Sequence, residues 1–317
     1  MARSCVYTVL YGDRDRLHAQ KVLAASGLDF IAFTDDPAAN WPGWTCRTLP
    51  QRLPGDPVRS SRYVKLHPHA LLPDYDASIY IDATVLLRQP PEALFAALLD
   101  GQGNPMACLA HSHRKCVLDE VRAVLSLNFD DPARCLRQMA AYAQAGWRGS
   151  VPLIWSGLLL RRHHDPGVVA TMEAWWEHVL LFSRRDQLSF AFVAEQQGLA
   201  FTAHALDNEE SLFHQWPVPR ERQRAPWRPA LPAPENDDGG FRARLLALIA
   251  ELDGEILRRA RAEAVRASAE AATARAEAVE LRAEAGRWRA AFDATRGSTS
   301  WRITAPLRRA ATWLRAR

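Results

Sequence analysis

Residues 78–87, S-I-Y-I-D-A-T-V-L-L, constrain this chain most: a β-rich apolar run is broken by a single carboxylate, Asp82. An unpaired carboxylate inside a buried strand costs several kcal/mol, so Asp82 is expected where the strand ends. Open α/β sheets bind their ligands at the carboxyl ends of strands. Asp82 is therefore the first candidate site residue; a plain strand-end turn is the alternative.

The surrounding pattern alternates. Strands are expected over 5–11, 29–34, 44–49, 106–111 and 201–206, and a strand pair over 151–160 bent at Ser156-Gly157. Helices are expected over 15–26, burying Leu17, Val22 and Leu23, and over 91–99, 116–125, 131–144 and 168–182. A further short helix carries Arg62 and Lys65 and breaks near His67, because Pro68 cannot continue it. Such alternation argues for an α/β fold on a parallel sheet.

Several polar groups could carry chemistry. Arg62 and Lys65 are three apart and share a helix face, which suits a diphosphate or is simply a solvated basic face. His111, His113 and Arg114 end a strand, as an acceptor or phosphate site or as a polar turn. Ser183 and Asp186 have the spacing of a capping box, which would start the next helix. A capping carboxylate still leaves one oxygen free.

Two ordered blocks carry a resemblance. Lys65-Leu66, Tyr80-Ile81-Asp82-Ala83-Thr84 and Leu94-Phe95 resemble the donor-sugar site of GT-A glycosyltransferases of the glycogenin and galactinol synthase type. Arg62, Lys65, Pro68-His69, Pro73, Tyr75-Asp76, the run ending at Asp82, and the later R-D-Q-L-S-F at 185–190 are more closely similar to another family. That family is a glycosyltransferase-like domain shared by bacteria and plants, with plant members linked to pectin and mucilage. The resemblance covers about residues 5–215.

It implies a GT-A-like, Rossmann-related domain that binds a nucleotide sugar, a UDP-sugar, and transfers the sugar to a glycan. In the resembling families Tyr11 and Asp35 would face base and ribose, and Arg62 and Lys65 the diphosphate. Asp82 and Thr84 would hold ribose or metal, and Ser156 and Gly157 would admit the donor sugar against the backbone. His111, His113, Arg114, Arg185 and Gln187 would face the acceptor. Asp186 and Lys65 would be catalytic, Asp186 as base in an inverting enzyme or as sugar-hydroxyl ligand in a retaining one. Mn²⁺ or Mg²⁺ would be held by Asp82 with His204 or His214. Thr84 stands where the glycogenin type has a second Asp, and a hydroxyl is a weaker ligand for hard cations, which puts metal use in question. A catalytically silent nucleotide- or glycan-binding scaffold is the alternative.

Beyond residue 215 the composition changes. A Pro-rich linker is expected over 216–240, then a long Ala/Arg/Glu helix over 241–292. Leu245, Ile249, Leu252 and Ile256 begin an apolar seam there, which suits a coiled coil and a homo-oligomer. The tail, 293–317, has five arginines after Ser300, interleaved with Trp301 and Trp313, as in helices that lie on anionic membranes. Its S-x-S-W-R-I-T-A-P-L-R wording resembles a tail of bacterial surface-polysaccharide glycosyltransferases, which implies a lipid-linked glycan acceptor. No groove-reading fold accompanies the basic tail, so nucleic acid is not an expected partner. The five cysteines lack a C-x-x-C pair and read as reduced thiols. With neither a signal sequence nor a run of about 18 apolar residues, the expected place is cytoplasmic, peripheral on the inner face of the membrane.

Overall fold

A computed structural model describes residues 3–12, 17–149, 151–216, 240–241 and 243–251, with scattered positions between 273 and 294. The chain opens with β1 (Ser4–Leu10), a 3-10 turn at Lys21–Ala25, β2 (Asp29–Thr34) and β3 (Thr45–Thr48). Next come α1 (Pro57–Leu66), the short α2 (Pro68–Leu71), β4 (Ala77–Ile81) and β5 (Leu86–Leu87). Then α3 (Pro91–Leu94) widens into a π-helical turn at Phe95–Asp100, followed by β6 (Met106–Ala110), α4 (Val117–Ser126) and α5 (Pro132–Gln144). β7 (Ile154–Arg161), α6 (Pro166–Leu181), α7 (Gln187–Gln197), β8 (Phe201–His204) and β9 (His214–Gln215) complete the described core.

Seven strands form one mixed sheet in the order β3-β2-β1-β4-β7-β6-β8. All neighbours are parallel except β7, which runs against both β4 and β6. The order reverses at β1: β2 and β3 lie on one flank and β4 on the other. Every residue of β4 and of β7 is buried, because both faces of the sheet are covered. A small second sheet pairs β5 with β9.

Three helix starts follow one chemistry. Asp56-Pro57, Asp131-Pro132 and Asp165-Pro166 each place an aspartate at the cap and a proline in the first turn. The carboxylate accepts a backbone N–H that the helix leaves unpaired, and proline has none to lose. α1 ends at His67, where the following proline disfavours further helical backbone, as expected.

Two expected elements differ. In place of a helix over 15–26, the described residues show only the 3-10 turn at Lys21–Ala25. Gln20 is held extended there: its amide donates to Val85 O at 2.8 Å and accepts Leu87 N–H at 2.9 Å, so the segment is stitched to the sheet margin. The expected strand pair over 151–160 is one continuous strand, β7, since it is hydrogen-bonded on both sides. Ser156-Gly157 sits where the β6–β7 register slips, between Cys108 and Leu109.

The first compact unit runs from Met1 to Ile249, past the expected boundary at 215. Phe241, Leu245 and Leu248 are buried in it, and Phe241 packs on Trp147 at 5.2 Å. Leu245, expected in a coiled-coil seam, is thus part of this packing. In the second unit, Ala250–Arg317, the described positions are helical. Residues 217–239, Leu252 and Ile256 of the expected seam, and the tail beyond 294 lie outside the described residues. Among the described residues no helix is long and apolar enough to cross a membrane. All five cysteines are free thiols.

Candidate functional site

The carboxyl ends of β1, β4 and β6 and the start of β7 open onto one cleft of about 440 Å³. Tyr11 enters it after β1, Asp82 and Thr84 after β4, His111, His113 and Arg114 after β6, and Ser156 and Gly157 from β7. Arg62 reaches it from α1, and Arg185, Asp186 and Gln187 from the start of α7. Asp35 does not line it. Its carboxylate accepts Gly12 N–H at 3.3 Å and the Gln51 amide at 2.6 Å, bracing the turn after Tyr11.

Asp186 is the electrostatic centre. It is 2% exposed, and Lys65, 1% exposed, places Nζ 2.5 Å from its Oδ2. Arg62 Nε lies 3.4 Å from Oδ1, and Ser156 Oγ donates to Oδ2 at 3.1 Å. The Trp175 indole donates to the Asp186 carbonyl at 2.8 Å and fixes the backbone. Burial alone would raise the Asp186 pKa, but the Arg62 and Lys65 cations outweigh it and hold the carboxyl well below its ordinary range. Burial pulls the Lys65 ammonium down, against an upward push from Asp186 and Asp82. The two groups are thus spent on each other. The expected capping box does not form: Asp186 caps α7 without a side-chain bond, and Ser183 Oγ donates to Asp130 at 2.6 Å instead.

Lys65 is held from behind as well as in front. Its carbonyl accepts from Tyr7 Oη at 2.7 Å and from the buried Arg161 at 3.0 Å. Its Nζ lies 5.0 Å from the centre of the Tyr80 ring, whose hydroxyl donates to Asp82 Oδ1 at 2.8 Å. Burial first, and Asp82 next, keep the Tyr80 phenol well above its ordinary pKa, so it remains a donor. Asp82 itself is half-buried, the more open of the two cleft carboxylates.

Two buried acids that sequence reasoning missed organise the arginines of the cleft. Glu120, 1% exposed, pairs with Arg114 and, at 3.3 Å, with Arg185; Asp130 accepts Arg184 N–H at 2.8 Å. Arg114 also bonds His111 at 2.8 Å, and His113 faces Glu209 at 3.2 Å. Gln187, expected at the acceptor, spends its amide on the Ile154 carbonyl at 2.9 Å, although it lines the cleft.

The expected metal set does not assemble. Among the described residues no three His, Cys, Asp or Glu side chains group as metal ligands. His214 does not line the cleft, and its ring nitrogens engage Ser211 at 2.7 Å and Asn208 O at 3.1 Å. His204 bonds Leu98 O. Thr84 Oγ1 accepts the Trp216 indole N–H at 3.0 Å. Asp82 alone is a poor cage for a hard cation, which takes several oxygen ligands. Gly157 lines the cleft and has a packing role besides. A Cβ there would lie 2.5 Å from the Trp155 indole, so glycine makes room for that ring.

Two solved structures are similar in outline. Mouse xyloside xylosyltransferase 1, apo form, has 11% identity and a TM-score of 0.40, covering 65% of this chain and 86% of that one. The WbbM bifunctional glycosyltransferase, also apo, has 10% identity and a TM-score of 0.33, covering 64% of this chain and 39% of that one. No curated protein sequence matches the chain. The family model for the TOD1/MUCI70 glycosyltransferase-like domain matches residues 43–211, more than half of the 317 residues and all of the segment from α1 to α7 that builds the Asp186 cluster. The protein belongs to the TOD1/MUCI70 glycosyltransferase-like domain family.

Proposed function

We propose that the cleft transfers a sugar from a nucleotide diphosphate sugar, a UDP-sugar, to a hydroxyl of a glycan in bacterial cell-surface polysaccharide synthesis. The supporting observation is the buried Lys65–Asp186–Arg62 cluster at the strand-end cleft of a GT-A-like sheet. In this reading the nucleotide lies at the strand reversal between β1 and β4, where such sheets bind nucleotides. Tyr11 is beside the base, and Arg62 is toward the diphosphate.

As the bond from the anomeric carbon to the diphosphate breaks, its electron pair passes to the phosphate oxygen. Guanidinium groups fixed beforehand stabilise that charge without reorganising. Arg62, Arg184 and Arg185, which all line the cleft, serve in this way. Lys65 is buried and does not line the cleft, so it is a positioning residue that acts through Asp186. The depressed pKa of Asp186 makes it a weak base, so Asp82 is the carboxylate assigned to the acceptor or donor hydroxyl. The donor set does not fit a divalent ion, and no step uses one.

A binding-only scaffold is favoured by one observation, the use of Thr84 as an anchor for Trp216 where a second carboxylate would stand. Release of UDP from a panel of UDP-sugars by the full-length protein, with Mn²⁺ or with a chelator, separates the readings. Equal turnover in both conditions is expected. Tight UDP binding without turnover of any sugar would leave the scaffold.

A further inference from the structure

The aromatic wall of the cleft has no part in the chemistry above. β9 pairs with β5, Leu87 opposite His214 and Leu86 opposite Gln215, and this carries Trp216 back to the end of β4. Its indole N–H is fixed on Thr84, and its ring centre lies 5.4 Å from that of Trp155, at 49°. Trp155 is buried, with His214 stacked on it at 5.3 Å and Gly157 against it. Trp216 is different: it is half-buried, packed in part on the core and exposed in part to the cleft. A hydrogen bond at its polar edge and a ring beside it make it a rigid apolar plate.

Its place selects the occupant. The strand reversal where a nucleotide fits lies between β1 and β4. Trp216 stands at Thr84 and Trp155, on the β7 side of β4, with His113 and Asn208 also lining the cleft. An apolar plate with a few polar groups around it matches a pyranose, which has a C–H face and a rim of hydroxyls. We propose that Trp216 is the platform on which a pyranose ring of the acceptor saccharide stacks, with Thr84 and Trp155 as its positioning residues. This rests on the glycosyl-transfer reading, but its test does not need turnover.

The test uses the full chain labelled with 5-fluorotryptophan, the Trp216 resonance being identified by its loss in Trp216→Phe. Methyl glycosides of glucose, galactose and xylose, and the corresponding disaccharides, are titrated with and without saturating UDP. At least one saccharide should move the Trp216 resonance saturably, with UDP present or absent. Trp216→Ala should weaken that saccharide's binding about tenfold, as expected for one lost aromatic contact. Thr84→Val, nearly isosteric, should weaken it less. If Trp216→Ala does not fold, the Thr84→Val result carries the test. A shift with UDP alone would make Trp216 a nucleobase platform and overturn the proposal, as would the absence of any saccharide-dependent shift. Failure of the transfer reading would appear separately, as no UDP release from any UDP-sugar.

Discussion

Replacing Asp186 by asparagine removes a charge but leaves Lys65 buried beside a neutral amide. Breaking one side of a buried pair costs about 3–5 kcal/mol, so Asp186→Asn should lower the unfolding free energy by that order in urea. The double variant Lys65→Met/Asp186→Leu removes both charges at similar volume and should recover most of the loss. If transfer depends on the cluster, the recovered protein remains inactive; full activity there would make the pair purely structural. Asp82→Asn should behave in the opposite way, changing stability by roughly 0.5 kcal/mol or less and slowing transfer about a hundredfold or more. Gly157→Ala must displace Trp155, since the new methyl would fall 2.5 Å from its ring, and should cost about 1–3 kcal/mol by overpacking.

At the scale of elements, α1 is the one that sets the cations. Asp56 accepts Arg59 N–H at 2.9 Å and holds its guanidinium at 2.8 Å, and Arg59 in turn bonds the carbonyls of Val179 and Phe182 at 2.9 Å each. One aspartate therefore caps α1 and aims an arginine at the end of α6. Asp56→Ala should cost about 1 kcal/mol for the cap, and more where Arg59 loses its orientation. Because α1 carries Arg62, the same change should weaken UDP binding measured by calorimetry. Unchanged binding would mean that α1 is held by its buried residues alone.

For the molecule as a whole, buried histidines set the response to acid. Burial first, and Arg161 next, lower the His163 pKa from an ordinary 6.5 to about 4. Below pH 6.5 the unfolded chain takes up a proton that the folded chain refuses until about pH 4, so stability falls as pH falls through that window. Burial likewise lowers His67, His178 and His214, and each acts in the same direction. His163→Gln should flatten the loss between pH 6.5 and 4.5 in guanidinium titrations; an unaltered slope would remove His163 as a cause. The tail belongs to this scale too. Arginines near an anionic surface add roughly 1 kcal/mol each, and salt screens them beyond about 8 Å. Deleting residues 297–317 should therefore release the protein from anionic vesicles in co-sedimentation. Equal sedimentation of both forms would end the proposal of a membrane anchor.

By itself the sequence determined what depends on local chemistry. The strand ending at Asp82, the cations of α1, the break at His67 and the buried stripe of α6 all followed from apolar spacing and proline. The three Asp-Pro helix starts rest on equally local chemistry, although no expectation was drawn from them. A helix starting near Asp186 was anticipated, but the course of α7 was not legible from apolar spacing, because it is buried on nearly every side and shows no stripe. What only the tertiary structure decided is which charges meet. Lys65 and Asp186 are 121 residues apart, and no local pattern says that one neutralises the other. The same holds for Glu120 with Arg185 and for Thr84 with Trp216. The physical reason is desolvation. A cation or a hydroxyl in sequence has many possible partners, and burial at the ends of the strands leaves it the few it can reach.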